Sequence, residues 1–235
     1  MLEKANSGAL GASGSGGAVA FDFAALSPRE RYKLLIGSVV PRPIALVTSV
    51  DLKGRVNAAP FSFFNCLSAD PAILALGVEN HPDMRFKDTG LNVRLTGEFT
   101  VHIVGDALAE AMNVCAVAFS PEVDELREAG LTAVPGTRVS CPRIAEAPVA
   151  FECRRYLTLE VGRSREIILG EVQAAFFHPG LVDERLHVDA TGLDALGRMG
   201  GHGYARTRDL FDLETPRPEE WASSRSAGTR TSHGR

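Results

Sequence analysis

Between residues 44 and 177 the chain is dominated by short β-prone runs that helices do not regularly separate. That order constrains the fold more than any other feature, because parallel strands need a long, usually helical, crossover between them. Residues 44–50 form one run, closed by the turn Asp51-Leu52-Lys53-Gly54, with glycine where positive φ is needed. A second run starts near Arg55 and should end or kink at Pro60, which cannot donate to a ladder. Residues 72–78 are almost continuously apolar, and 98–104 alternate, with Phe99, Val101 and Ile103 on one face. Residues 148–161 and 166–177 flank the turn Gly162-Arg163-Ser164-Arg165. Helices are expected over 83–93, over 106–119 with Asp106 as N-cap, and from Ser120-Pro121-Glu122 to Gly130. The pattern predicts a mostly β fold, an antiparallel barrel with helices attached.

Composition bounds the function. A net charge of −4 gives no electrostatic footprint for nucleic acid. No apolar run approaches the roughly 18–20 residues that span a bilayer, and no basic start leads into an apolar h-region. Cys66, Cys115, Cys141 and Cys153 contain no C-x-x-C pair, so reduced, mostly buried thiols and a cytoplasmic setting are expected. Residues 1–20 and 222–235 read as disordered tails around a single domain over 21–221. The histidines show no metal-binding spacing, and no metal site is expected.

Neither glycine cluster, 11–17 or 197–203, follows a strand and opens a helix, so no dinucleotide loop is present. The informative stretch is 41–65, P-R-P-I-A-L-V-T-S-V-D-L-K-G-R-V-N-A-A-P-F-S-F-F-N. Thr48, Ser49, Asn57, Ser62 and Asn65 stand there among small and aromatic residues, as either a hairpin with a polar bend or a ligand platform. A second piece, Arg85-Phe86-Lys87-Asp88-Thr89, offers two cations and a hydroxyl near a helix start, either solvated or set for an anion.

In order, R-P-I-A-L-V-T-S, D-x-x-G-x-x-N-A-A-P-F-S-F-F-N, K-D-T-x-x-N and T-G-E-F-x-V resemble the flavin reductase-like, FMN-binding split-barrel family. That group includes NAD(P)H:flavin reductases and flavoredoxin-type proteins. The resemblance covers about 27–211. His102 departs from it, standing where Asn is expected. It implies a six-stranded antiparallel Greek-key split barrel that forms a homodimer and binds FMN near the subunit interface. By match to its motifs, Asn57, Ala58, Ala59, Ser62, Phe63, Phe64 and Asn65 line the ring and ribityl side, with Thr48 and Ser49 as further cofactor-binding residues. Arg85, Lys87 and Thr89 face the phosphate, Asp88 stands among them as a further cofactor-binding residue, and Arg198 and Tyr204 close the site.

The small side chains suit a flat ring, and hydroxyls and amides suit its pyrimidine edge. The implied activity is hydride transfer from NAD(P)H to N5 of FMN, with no catalytic side chain required. Reduced flavin would pass to a flavin-dependent monooxygenase or another acceptor. The alternatives are an FMN-holding electron carrier and a non-catalytic split-barrel ligand-binding protein.

Overall fold

A computed structural model of the protein describes residues 18–221. The expected tails therefore lie outside the described residues, apart from 18–20. In chain order the elements are α1 (Pro28–Ser38), β1 (Arg42–Pro43), β2 (Ala45–Val50), β3 (Val56–Phe61), β4 (Phe64–Ala69) and β5 (Ala72–Glu79). Then come α2 (Asp88–Thr96), β6 (Glu98–Ile103), a 3₁₀ turn (Asp106–Leu108), α3 (Ala109–Val114) and α4 (Glu125–Glu128). The chain continues through β7 (Ala133–Val134), β8 (Arg143–Ile144), β9 (Val149–Val161), β10 (Arg165–Phe177), α5 (Ala190–Leu193), β11 (Leu196–Arg198) and β12 (Tyr204–Arg206).

Seven strands make one antiparallel sheet in the order β3-β2-β6-β9-β10-β5-β4. Its two edges, β3 and β4, are consecutive in the chain and joined only by Ser62 and Phe63. A link that short spans about 11 Å at most, so the sheet must curl until its edges nearly meet. The result is a barrel left split along β3. Smaller sheets, β1-β11-β12 and β7-β8, lie outside it.

Curling gives β2 two buried faces, and all six of its residues are buried. Ala45 and Val47 point into the barrel with Leu76, Phe99, Val101, Cys153 and Ile168, and Val93 of α2 packs into the same cluster. Ile44 and Leu46 point outward into a second core with Leu108, Met112, Leu126 and Leu196. Burial pushes the thiols of Cys115 and Cys141 up to about 12, so both stay protonated. No described helix is long and apolar enough to cross a membrane.

Several expectations change. The main sheet has seven strands rather than six, because 64–69, which lies outside the expected β-prone runs, pairs with β5 across a register shift at Cys66/Ser68. β3 runs through Pro60 to Phe61; as an edge strand it can face Pro60's missing donor away from β2. The helix expected from Asp106 is cut to α3, since Asp106 turns its carboxylate to Arg206 and Arg208 instead of capping. The helix expected from Ser120 starts only at Glu125, capped by the Asp124 carboxylate. The expected 83–93 helix likewise begins at Asp88, after a tight turn closed by Met84 at φ 69. α1 is an addition to the expected helices. Its Ser27–Glu30 capping box starts it, and the buried Arg42 guanidinium donates to Ile36 O and Val39 O at its end.

The outward faces of β6 and β9 carry polar residues that bind the irregular segment 137–144. Glu152 accepts from the Thr137 and Arg138 N–H groups at 2.9 and 2.6 Å, and Glu98 accepts from Ser140 N–H at 2.8 Å. Ile144 N–H donates to His102 Nε2 at 2.9 Å, so Nδ1 must carry the proton it donates to Leu46 O at 2.8 Å. That neutral ring is fully buried, and desolvation lowers its pKa from 6.5 to about 4.

Between pH 6.5 and 4 the unfolded histidine takes a proton that the folded one refuses. Stability from His102 is therefore complete above about pH 6.5 and falls as pH drops toward 4. His102→Asn should be less acid-sensitive. The stability gap between the native protein and the variant, read by urea unfolding, should narrow by about 3 kcal/mol from pH 7 to 4. A constant gap would show that the ring is not held neutral.

Candidate functional site

The split in the barrel leaves one side of β3 without a strand partner, and the neighbouring polar side chains are organised around it. Asn57 Nδ2 donates to Thr89 Oγ1 at 2.9 Å, and Asn92 Nδ2 donates to Ser49 Oγ at 3.1 Å. All four residues are buried. These bonds tie β2, β3 and the first turns of α2 together at one end of the barrel. Buried polar pairs of this kind fix a single arrangement, because breaking one leaves its partner unsatisfied.

α2 is also clamped from behind. Arg94 reaches the Glu166 carboxylate at 2.7 Å and Glu160 at 3.0 Å, and stacks on Phe86 at 4.1 Å. Glu166 is 1% exposed and lies so close to α2 that a Cβ at Gly90 would collide with its Oε1. A side chain at Gly90 would have to push that carboxylate aside.

The helix start points the other way. Lys87 is the N-cap residue, with φ −66 and ψ 157, and it makes no side-chain capping bond. Its side chain is exposed and enters no ion pair among the described residues. Asp88 is the one acid of the first turn. Arg85 is occupied by Asp83 at 2.7 Å, and both are exposed.

A cleft of about 930 Å³ opens beside this helix. The turn 51–55, the loop 81–86, the outer side of α2 and the segment 118–125 enclose it. Asn57, Asp88, Asn92 and Glu125 give it a polar side, whereas Leu91, Leu95 and Phe119 give it an apolar one. The volume suits a cofactor-sized molecule. Glu125 is 8% exposed, and its Oε2 accepts the Ala58 N–H at 3.1 Å. Burial pushes its pKa up, and the charges of Asp88 and Asp124 push the same way.

The residues expected to share a site fall into three places. Asn57, Arg85 and Asp88 line the cleft, with Ser49, Ala58, Lys87 and Thr89 bonded or adjacent to that group. Thr89 is only 2% exposed, and its hydroxyl oxygen accepts from Asn57. Thr48 is fully buried and donates to Pro142 O on the outer side of β2.

The corner after β3 forms the second place. Phe64 enters the barrel core, and Phe63 packs on Tyr32 with Arg165 4.6 Å above its ring. Asn65 is exposed and accepts from Cys66 N–H, while Ala59 and Ser62 are half-buried. Arg198 and Tyr204 form the third, stacked at 4.5 Å on the small sheet and not lining the cleft. Sequence reading missed Glu125, which looked like an acid of a helix start, and missed the Arg94–Glu166 clamp, whose members lie 72 residues apart.

The geometry agrees with comparison to known proteins. Residues 36–195 match the flavin reductase like domain. An uncharacterized protein of Deinococcus radiodurans is 43% identical over 208 residues, covering 86% of this chain and 91% of that protein. The 2-nitrobenzoate 2-nitroreductase NbaA of Pseudomonas fluorescens is 36% identical, with a TM-score of 0.77 over 84% of this chain and 96% of its own. Component B of nitrilotriacetate monooxygenase from Bacillus cereus is 31% identical, with a TM-score of 0.81 over 85% of this chain and 100% of its own. With a split barrel, a cleft at its open edge and a domain match over most of its length, the chain belongs to the flavin reductase-like family.

Proposed function

We propose that the protein is an FMN-dependent oxidoreductase that takes hydride from NAD(P)H. In this reading the flavin ring lies along the free edge of β3 and the phosphate sits at the start of α2. One observation carries it. A helix start bears partial positive charge and is usually capped by a small polar side chain. Here the cap position holds Lys87, with no capping bond and no ion-pair partner among the described residues. Asp88 offsets only part of that charge, and a phosphate monoester would complement the rest through charge-assisted bonds.

The other residues fit FMN as well. Half-buried Ala59 would keep the edge of β3 low enough for a flat ring to approach, and Ala58, packed in the outer core, would offer its backbone N–H. Asn57 and Asn92, each already holding a hydroxyl in place, set amides beside that edge. When bound, FMN supplies the redox chemistry, accepting hydride at N5. The chain's own residues bind and orient, and the buried Ser49–Asn57–Thr89–Asn92 bonds hold the platform still while they do so. Thr48 supports the platform from behind, and Ser62, Phe63, Phe64 and Asn65 shape the corner where the ring would end.

Two further elements belong to this reading. Tyr156, Leu157, Leu159 and Val161 leave an apolar surface on the far part of β9, which supports a homodimer whose second copy brings Arg198 and Tyr204 to the site. Reduced flavin would then go to a monooxygenase or another acceptor, as suggested by the relative named as a monooxygenase component.

Three results are expected. Lys87→Ala should weaken FMN binding by about 10–150-fold while barely altering riboflavin, which has no phosphate; equal losses would place Lys87 against the ring or the fold instead. In anaerobic stopped-flow, NADH or NADPH should bleach the oxidised flavin band at a rate that saturates in nucleotide. If dithionite bleaches it and neither nucleotide does, the protein is a carrier. Light scattering should give twice the chain mass of 25.1 kDa at micromolar concentration, and a monomer mass would remove the shared site.

A further inference from the structure

The free edge of β3 is not open in this structure. The Ala58 N–H, which faces away from β2, is taken by the Glu125 carboxylate at 3.1 Å. Glu125 comes from a different part of the chain, at the first residue of α4, and crosses to the strand from the side of the cleft. It has no cationic partner among the described residues, although it is 8% exposed. A carboxylate that is buried without a cation is costly, and backbone N–H groups, its own and that of Ala58, offset the cost.

The chemistry of the contact matters. The pyrimidine edge of a flavin presents carbonyl oxygens and one unprotonated ring nitrogen that accept from backbone N–H donors, and a carboxylate oxygen is the same kind of acceptor. We propose that Glu125 is a displaceable stand-in for the flavin: it satisfies the Ala58 N–H in the flavin-free protein and must swing away before a flavin can use that donor. The inference rests on the flavin reading and deepens it, because it assigns the control of flavin exchange to one side chain.

The surroundings permit the swing. Leu126, next to Glu125, is anchored in the outer core at 2% exposure, so α4 itself need not move. The cleft on the other side of the carboxylate leaves room for the side chain to turn and regain water. Desolvation already raises the pKa of Glu125 in its docked position, so burial there costs its charged form. Flavin bound against such a competitor is held less tightly than the site would otherwise allow, as suits a flavin that comes and goes.

The test compares the full-length protein with Glu125→Ala and Glu125→Gln, using FMN and riboflavin as probes. Glu125→Ala should melt lower than the native protein when flavin-free, because the Ala58 N–H loses its partner. It should also bind both flavins about tenfold or more tightly, the worth of one hydrogen bond to a charged group. Glu125→Gln keeps a weaker, neutral acceptor and should fall between, which serves if the alanine variant does not fold. Tightening for FMN and not riboflavin would mean that only charge near the phosphate had changed, and would overturn the proposal. So would unchanged or weaker binding in folded variants that still take up flavin. If native protein and variants alike stay folded and bind neither flavin, the flavin reading itself falls with it.

Discussion

The short link between the two edges of the main sheet governs most of this molecule's architecture. Seven antiparallel strands could lie open, but Ser62 and Phe63 must carry the chain from the last strand on one side to the last strand on the other. Closure is then a matter of chain length rather than of hydrogen bonding. It gives β2 its two buried faces and separates an inner apolar cluster from an outer one. It also brings β3 round the end of the barrel, where Val93 of α2 fills the interior. A ladder between β3 and β4 would have sealed the barrel and removed the one unpaired edge that faces the cleft.

Polar groups then set how rigid each side of the barrel is. On the outside, Glu98, Glu152 and His102 bind backbone donors of a segment that has almost no regular structure of its own. Of those donors the Ile144 N–H is buried and would otherwise lack a partner. At the barrel end, Asn57 and Asn92 fix α2 to the strands, and Arg94 with Glu166 holds it from the far side. The helix start is thereby held in place while its own cap position is left without a capping bond. Stability is concentrated behind the cleft, whereas Arg85 and Lys87 in front of it remain exposed.

Strand content and the antiparallel class are legible in the sequence because alternation and turn residues are local signals. Phe99, Val101 and Ile103 face inward as their spacing requires, and Gly54 and Gly162 adopt positive φ in the turns that their neighbours mark. Helix boundaries are less legible, since capping depends on which partner wins a side chain. Asp106 has the chemistry of a cap but is drawn to Arg206 and Arg208, a hundred residues away. α1 carries a capping box at Ser27–Glu30, yet it buries no residue and so shows no apolar stripe to mark it as a helix. β4 is hidden by its polar residues, because an edge strand need bury little. At the site, the motif residues Asn57, Lys87 and Asp88 gather around α2, whereas Arg198 and Tyr204 do not line the cleft. Glu125 has no local signature, for its meaning comes from a strand 67 residues earlier.

The unpaired side of β3 bears on self-association as well. An unpaired edge is a template on which a strand from another molecule can grow, and growth of that kind is how sheet proteins clump. Along this edge the outward positions alternate, so Ala58 and Pro60 are neighbours in the row that a newcomer would meet. The first has its donor covered by a carboxylate, and the second has no donor at all. An arriving strand would find two successive rungs missing from the ladder. The opening that makes room for a small flat molecule is therefore a poor place for self-association through backbone pairing, and the protein can keep its barrel unzipped without becoming prone to aggregate there.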